Sequence, residues 1–141
     1  MSGSPILALR KAIIARLAAN AALVDALGGA KIYDEAPRGV ETPYALFADA
    51  QMRDWSAQSS RGAEHYFTLA IVTTQRGTSA ALSVAQQIID LLDDAPLALD
   101  GHALVDLRFV SLETKRDQNG RFARVAMTFR AVTEYLEPEG P

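Results

Sequence analysis

The chain of 141 residues contains no cysteine, and charged residues make up only 22% of it. Without cysteine, neither a disulfide framework nor a thiolate zinc site can form. No apolar run approaches the roughly 20 residues that a membrane-spanning helix needs. The positive charges near the N-terminus follow the apolar residues instead of preceding them, so the pattern does not fit a secretory signal. We therefore expect a soluble cytosolic product with no membrane contact.

Basic residues are too few to favour a dedicated nucleic-acid binder. Lys and Arg number 14 against 17 Asp and Glu, which gives a formal net charge of −3, whereas tight binding to phosphates needs a basic surface. The apolar fraction of 49% exceeds what a solvated monomer needs and indicates a subunit interface. A chain of this length fits one domain, 1–141, which we expect to end in a frayed acidic tail at 136–141.

Motifs for catalysis and cofactor binding are missing as well. The sequence has no P-loop, no GxSxG elbow, no Rossmann glycine fingerprint and no HExxH pair. His65 and His102 start predicted strands, where lone histidines are usually surface or cap residues. A hydrolase assembled from His102, Asp100 and Glu113 is the one catalytic alternative that we considered. We expect no enzyme, no cofactor and no metal.

The central stretch of the sequence predicts a strand at 65–74 followed by a helix at 79–93. HYFTLAIVTT is rich in aromatic and β-branched residues, which favour a strand. The next segment has the helical period, and its predicted buried stripe consists of Leu82, Ala85, Ile89 and Leu92. Thr78 or Ser79 is predicted to cap this helix, and Pro96 stops its continuation. A helix joined to a strand by four residues must pack against it.

The N-terminal segment predicts helix over 5–27. Ser4-Pro5 is a good start, because serine caps and proline suits the first helical position. Asn20 either interrupts this helix or caps a short second one, and Gly28-Gly29 ends it in the left-handed conformation. The buried stripe is predicted to contain Ile6, Leu9, Ile13 and Leu17.

Two strands, at 31–34 and 44–50, are predicted after the N-terminal helix. The following segment, MRDWSAQSSRGAE, is polar and reads as irregular. It contains Trp55, the single tryptophan of the chain. A large aromatic residue in a polar loop either plugs the domain or anchors a partner, and we prefer the plug.

The C-terminal third predicts a long hairpin with strands at 103–114 and 121–135. At roughly 3.3 Å per residue its arms reach on the order of 40 Å, so the tip should lie at the edge of the domain or beyond it. The tip is densely charged, with Lys115, Arg116, Asp117, Arg121 and Arg124. A solvated surface is the ordinary explanation for such a charge cluster.

The register of this hairpin depends on its turn. A two-residue turn at Asn-Gly pairs Thr114 with Val125 and separates the apolar residues of the two strands onto opposite faces. A three-residue loop with Gly120 in the left-handed conformation instead pairs Phe109 with Phe129 and keeps both apolar sets on one face. We predict the second register, which a β-bulge would shift. The expected fold class is α+β, a mainly antiparallel sheet of four to five strands with two main helices on one face and the long C-terminal hairpin.

The order of these segments carries a family resemblance. A helix is followed by KIYDEAP, ETPYALF, a polar loop with Trp55-Ser56, HYFTLAIVTT and its helix, DDAPLALDGHALVDLRFVS, and the closing RDQNGRFARVAMTFRAVTE. This order resembles the tail completion or tail terminator proteins of long-tailed phages and gene transfer agents, over nearly the whole chain. One departure is that Thr73 and Thr74 stand where family strands often carry a tryptophan.

The resemblance implies a structural virion protein without catalytic residues. It implies a small α+β subunit that forms a ring, expected to be a hexamer, at the head-proximal end of the tail tube. The partners would be further copies of the chain, the tail tube protein and the head-tail connector or adaptor proteins. DNA would pass through the lumen without tight binding, and assembly would occur in the bacterial cytoplasm. The alternative is a small ligand-binding or enzymatic α+β domain, and the choice between phage and gene transfer agent stays open.

We expect the hairpin tip and the loop around Trp55 to lie at or near subunit or partner contacts. The small polar residues of this loop also fit a segment that lines the channel, with a plain surface loop as the alternative. The predicted interface residues are Arg53, Asp54, Trp55, Arg61, Arg116, Arg121 and Arg124.

Overall fold

The computed structural model describes residues 3–136, in which three helices and one six-stranded sheet form. The helices are α1 Pro5–Ala18, α2 Ala21–Leu27 and α3 Thr78–Leu92. The strands are β1 Ile32–Tyr33, β2 Tyr44–Asp54, β3 Gly62–Thr74, β4 Ala98–Leu99, β5 His102–Arg116 and β6 Phe122–Tyr135. The α+β class is confirmed, but the sequence prediction lacked β4 and gave the separation of α2 from α1 only as an alternative at Asn20. The predicted acidic tail lies outside the described residues, apart from Leu136.

The sheet has the strand order β1-β2-β3-β6-β5-β4. All neighbouring strands are antiparallel except β1 and β2, which run parallel. β3 and β6 occupy the centre and pair along their whole length, from Gly62 opposite Glu134 to Thr74 opposite Phe122. The strand predicted at 65–74 is therefore a central element of the sheet, as its apolar composition indicates.

The first two helices begin at capping side chains. The Ser4 hydroxyl accepts the amide hydrogen of Leu7 at 3.3 Å. Asn20 Oδ1 accepts the amide hydrogen of Leu23 at 2.9 Å, and Gly28 ends α2 with φ 76°. Of the two alternatives for Asn20, the structure shows the cap of a second helix, because this side chain satisfies an amide that a first turn leaves unpaired.

The N-terminus of α3 differs from the prediction. Gly77 is the N-cap residue and makes no side-chain cap, while the Thr78 hydroxyl donates to the Gln75 carbonyl at 2.9 Å. A short 3-10 turn at Gln75–Gly77 leads into the helix. Leu82 is 39% exposed, so its predicted place in the buried stripe is wrong. The buried residues are Ala81, Val84, Ala85, Ile88 and Leu92.

The core lies between the three helices and one face of the sheet. Buried side chains from all three helices join alternate residues of β3 and β6 in one cluster. At its centre the Phe129 ring stacks on Phe67 with a centroid distance of 5.4 Å and meets Phe109 edge-on at 5.8 Å. Because successive strand side chains point to opposite faces, the remaining alternate residues lie on a sheet face that carries no helix.

The hairpin of β5 and β6 combines the two registers that were weighed. Phe109 lies opposite Phe129 as predicted, but nearer the tip Thr114 lies opposite Val125. A bulge at Val110 adds one residue to β5 and reconciles the two pairings. The predicted three-residue loop is therefore wrong at the tip, although Gly120 does have a left-handed φ of 75°.

Both histidines are buried, each only 2% exposed, so their predicted place at the surface is wrong. His65 Nε2 lies 3.0 Å from the Thr133 hydroxyl. The ring of His102 packs edge-on against Tyr135 at 5.0 Å. Both side chains lie on the helix-covered face of long strands. The tertiary structure therefore buries them, although lone histidines near strand starts are usually exposed.

Candidate functional site

A buried carboxylate lies on the helix-free face of the sheet, near the start of β3. Glu64 is 3% exposed. Its Oε1 accepts a hydrogen bond from Arg53 Nε at 2.5 Å, and its Oε2 accepts one from Arg130 Nε at 2.6 Å. Arg53 lies directly opposite on β2 and Arg130 comes from β6, so the carboxylate joins the three strands at one point.

The two arginines determine the charge state of Glu64. Burial by itself raises the pKa of this carboxyl, but the hydrogen bonds from Arg130 and Arg53 and their positive charges outweigh it and hold the pKa below its usual value. The pKa of Arg130 is raised in turn, mainly by its hydrogen bond to Glu64. Glu64 is therefore ionised at neutral pH and suits a structural ion pair, not a proton donor.

Trp55 lies over these two arginines. Its ring centroid is 5.5 Å from the Arg53 guanidinium carbon and 5.4 Å from that of Arg130, within the range of cation–π attraction. The side chain nevertheless remains 49% exposed, so the prediction that Trp55 plugs the domain is wrong. We call Arg53, Trp55, Glu64 and Arg130 the Trp55 platform. It holds a large aromatic surface in a fixed orientation at the surface, as a partner anchor requires.

The loop that follows Trp55 is a hydrogen-bonded turn and not an irregular segment. The Ser56 hydroxyl donates to Asp54 Oδ1 at 2.7 Å and accepts the Gly62 amide hydrogen at 3.2 Å. Ala57 and Ser60 form an isolated bridge. Arg61 lies with its guanidinium carbon 5.6 Å from the Tyr135 ring centroid. Asp54 and Arg61 thus support the loop from its two ends.

The hairpin tip is the second exposed surface. Arg116, Arg121 and Arg124 are all exposed, and within residues 3–136 none of them has a carboxylate within 4.0 Å. The Phe122 side chain between them is 38% exposed. The tip therefore presents free cations around an aromatic ring.

The structure separates the predicted interface residues into two groups. Arg53, Asp54, Trp55 and Arg61 gather at one end of β3. Arg116, Arg121 and Arg124 lie at the other end, where Thr74 pairs with Phe122. At roughly 3.3 Å per residue, β3 places the two groups about 40 Å apart. They are two surfaces and not one site.

Sequence reasoning missed Glu64 and Arg130, which hold the Trp55 platform together. They are 66 residues apart, so no local spacing connects them. The one available signal was a glutamate inside an otherwise apolar strand, because a buried acid requires a partner.

Depressions of about 300 and 420 Å³ lie beside α1 at the surface, and the space beneath the helix is much smaller. The cavity between α1 and the sheet, lined by Leu9, Ile13 and Phe67 among others, has a volume of about 10 Å³, room for about one water molecule. Residues 3–136 contain no group of three or more side chains that could hold a metal ion. In the same range, no helix is both long and apolar enough to cross a membrane.

The described residues thus form an α+β fold with two exposed surfaces at opposite ends of β3. The family model of tail completion protein gp17 matches residues 11–134. The chain therefore belongs to the tail completion protein gp17 family, and the predicted resemblance is confirmed.

Comparison with solved structures gives a second finding. A chain from the structure titled "Virion of native gene transfer agent (GTA) particle" superposes with a TM-score of 0.85 and is 30% identical. The alignment covers 94% of this chain and 99% of that chain. None of the curated proteins compared with the sequence is significantly similar to it. The family and this structure together support a structural role in a virion tail.

Proposed function

We propose that the chain is the ring-forming subunit that ends the tail. Copies of this single domain, expected to be six, would close into a ring on the head-proximal end of the tail tube. The ring would stop further tube growth and offer a surface to the head-tail connector or adaptor proteins. DNA would pass through its lumen.

The observation that carries this proposal is the similarity over nearly full length to a chain of a gene transfer agent virion. The separation of the two exposed surfaces supports it, because a closed ring requires two different patches on each subunit. The Trp55 platform and the hairpin tip lie at opposite ends of the central strands. We assign both surfaces to contacts between copies or with tail partners.

The experiment that tests the ring is native mass spectrometry of the purified chain over a concentration series, repeated with isolated tail tubes. The expected species has six times the 15.2 kDa mass of the chain, free or bound to tube ends. A chain that stays monomeric and does not bind tubes would contradict the proposal.

A further inference from the structure

The outer edge of β5 is largely without a partner strand. β4 pairs only with His102 and Ala103, at the start of β5. Over the rest of β5, no other described strand covers this edge. Exposed strand edges attract other chains unless they are bent or covered.

Two bulges shape this edge and expose apolar side chains. The register with β6 shifts between Leu104 and Asp106 and again between Phe109 and Ser111. Val105 and Val110 therefore have no partner on β6, and they are 55% and 49% exposed. Bulges discourage strand pairing, so this surface suits a contact through side chains better than the addition of a strand.

The segment beside the edge is strongly acidic. No lysine or arginine occurs between Arg76 and Arg108. The same stretch contains Asp90, Asp93, Asp94, Asp100 and Asp106. Arg108 Nε meets Asp106 Oδ1 at 3.2 Å, and its NH2 nitrogen lies 3.6 Å from Asp94 Oδ1. Its pKa is raised, first by the hydrogen bond to Asp106 and then by the charges of Asp94, Asp106 and Asp93. Arg130 also lies 3.6 Å from Asp106, but its hydrogen bond goes to Glu64.

Hydrogen bonds hold the acidic segment against the outer edge of β5. The Asp94 amide donates to the Leu107 carbonyl at 2.8 Å. The Phe109 amide donates to Asp93 Oδ1 at 2.9 Å. The C-terminal turn of α3 is thereby fixed on the β5 edge. We call the surface formed by Asp93, Asp94, Asp106 and Val110 the β5 flank.

The hairpin tip has the complementary chemistry. It carries three arginines that have no carboxylate within 4.0 Å among residues 3–136, and the exposed Phe122. The β5 flank carries three aspartates beside the single Arg108 and the exposed Val110. The tip lies about 30 Å from Leu107, at the middle of the flank, along the same pair of strands. A tip therefore cannot reach the flank of its own chain.

We infer that the hairpin tip of one copy docks on the β5 flank of another copy. The arginines of the tip pair with the aspartates, and Phe122 packs on Val110. Since the two surfaces differ, the contact is head-to-tail and can close a ring. This inference rests on the proposed ring and names the surfaces that form it.

The test reverses the charge of each surface separately. The tip variant is Arg121→Glu with Arg124→Glu. The flank variant is Asp94→Lys with Val110→Lys, which changes the summed charge of the flank and Arg108 from −2 to +1. Both positions are exposed, and among the described residues the Asp94 carboxylate pairs only with Arg108. Like charges then face each other across the contact in either variant. We therefore expect the association constant, measured by native mass spectrometry, to fall on the order of tenfold or more.

A mixture of the two variants gives the decisive result. The acidic tip of one variant matches the basic flank of the other, and the unchanged surfaces also match, so mixing should restore species heavier than the monomer. The matched control is Arg38→Glu, at an exposed arginine in another loop, compared with Arg121→Glu alone, because each single reversal changes the net charge by the same amount. Circular dichroism verifies the fold, and Arg121→Gln with Arg124→Gln replaces any tip variant that does not fold.

Two results would overturn the inference: wild-type association in either reversed variant, or a mixture that stays monomeric. The proposed function fails in a different way, when the wild-type chain itself neither forms a ring nor binds tubes. If the wild-type chain forms a ring and both reversed variants form it equally well, the proposed function stands and only this assignment of surfaces is wrong.

Discussion

Arg130 donates to Glu64 at 2.6 Å across 66 residues of sequence, and this single contact orders the surface around Trp55. Arg130 also lies 3.6 Å from Asp106 on β5. The arginine therefore connects the buried carboxylate of β3 with the far strand of the hairpin. The Trp55 platform is consequently part of the sheet and not of a separate loop.

Replacing Glu64 by glutamine should loosen this platform. Glu64→Gln removes the negative charge that both arginines share, so the guanidiniums lose their anchor and Trp55 gains freedom. We expect a lower melting temperature and a shift of the Trp55 fluorescence maximum toward that of a fully solvated indole. Glu113→Gln is the matched control, because Glu113 is exposed and pairs only with Lys115. Equal melting temperatures and spectra in both variants would contradict the role of Glu64.

Stability should fall on acidification because of His65. Burial, together with the charge of His102, lowers the pKa of His65 to about 4 from 6.5. Between these values the unfolded chain binds more protons than the folded chain, so stability is full above pH 6.5 and is lost as the pH falls toward 4. The loss should reach about 3 kcal/mol. Urea unfolding at several pH values measures it, and His65→Gln should flatten the dependence over this range.

Truncation of the two hairpin phenylalanines should separate folding from assembly. Phe129 is fully buried between Phe67 and Phe109, so Phe129→Ala should lower the free energy of unfolding by about 3 to 5 kcal/mol. Phe122→Ala, at an exposed position, should cost less than about 1 kcal/mol while it weakens association. Denaturant titration and native mass measurement distinguish the two effects. A large loss of stability from Phe122→Ala would show that the tip supports the fold instead.

Much of the fold follows from local patterns in the sequence. The alternation in HYFTLAIVTT, the cap at Ser4-Pro5 and the glycines after α2 determine elements whose bounds agree with the prediction to within a few residues. Leu82 shows where a local sequence pattern no longer determines the structure. Its spacing fits a helical stripe as well as that of Val84, and only the packing of α3 on the sheet decides that Val84 faces the core.

The remaining features depend on tertiary contacts that no local pattern records. The bulge at Val110 lets Phe109 reach Phe129 while Thr114 reaches Val125, so both candidate registers were correct over part of the hairpin. Core packing of the phenylalanines and turn geometry at Gly120 favour different pairings, and one extra residue satisfies both. Two residues of the Trp55 platform, Arg53 and Trp55, were predicted as interface residues because they lie in the polar segment that contains the single tryptophan. Glu64 and Arg130 were not predicted, because only the pairing of β3 with β6 brings them together.

Affinity for duplex DNA should be negligible at physiological salt. The chain has a net charge of −3, and the free arginines at the tip neutralise few phosphates. We expect binding on the weak side of the roughly 10⁻⁴ to 10⁻⁶ M typical of non-specific binders. Fluorescence anisotropy with a labelled duplex, over a range of salt concentrations, measures it. Tight binding with a steep salt dependence would indicate a nucleic-acid module.

Deleting the gene in cells that produce the particles tests the central claim most directly, with electron microscopy as the measurement. Without a subunit that ends the tail, tubes should lack a uniform length and should not be joined to heads. Expression of the wild-type chain should restore joined particles with tails of uniform length. Joined particles with normal tails in the complete absence of the chain would contradict the account.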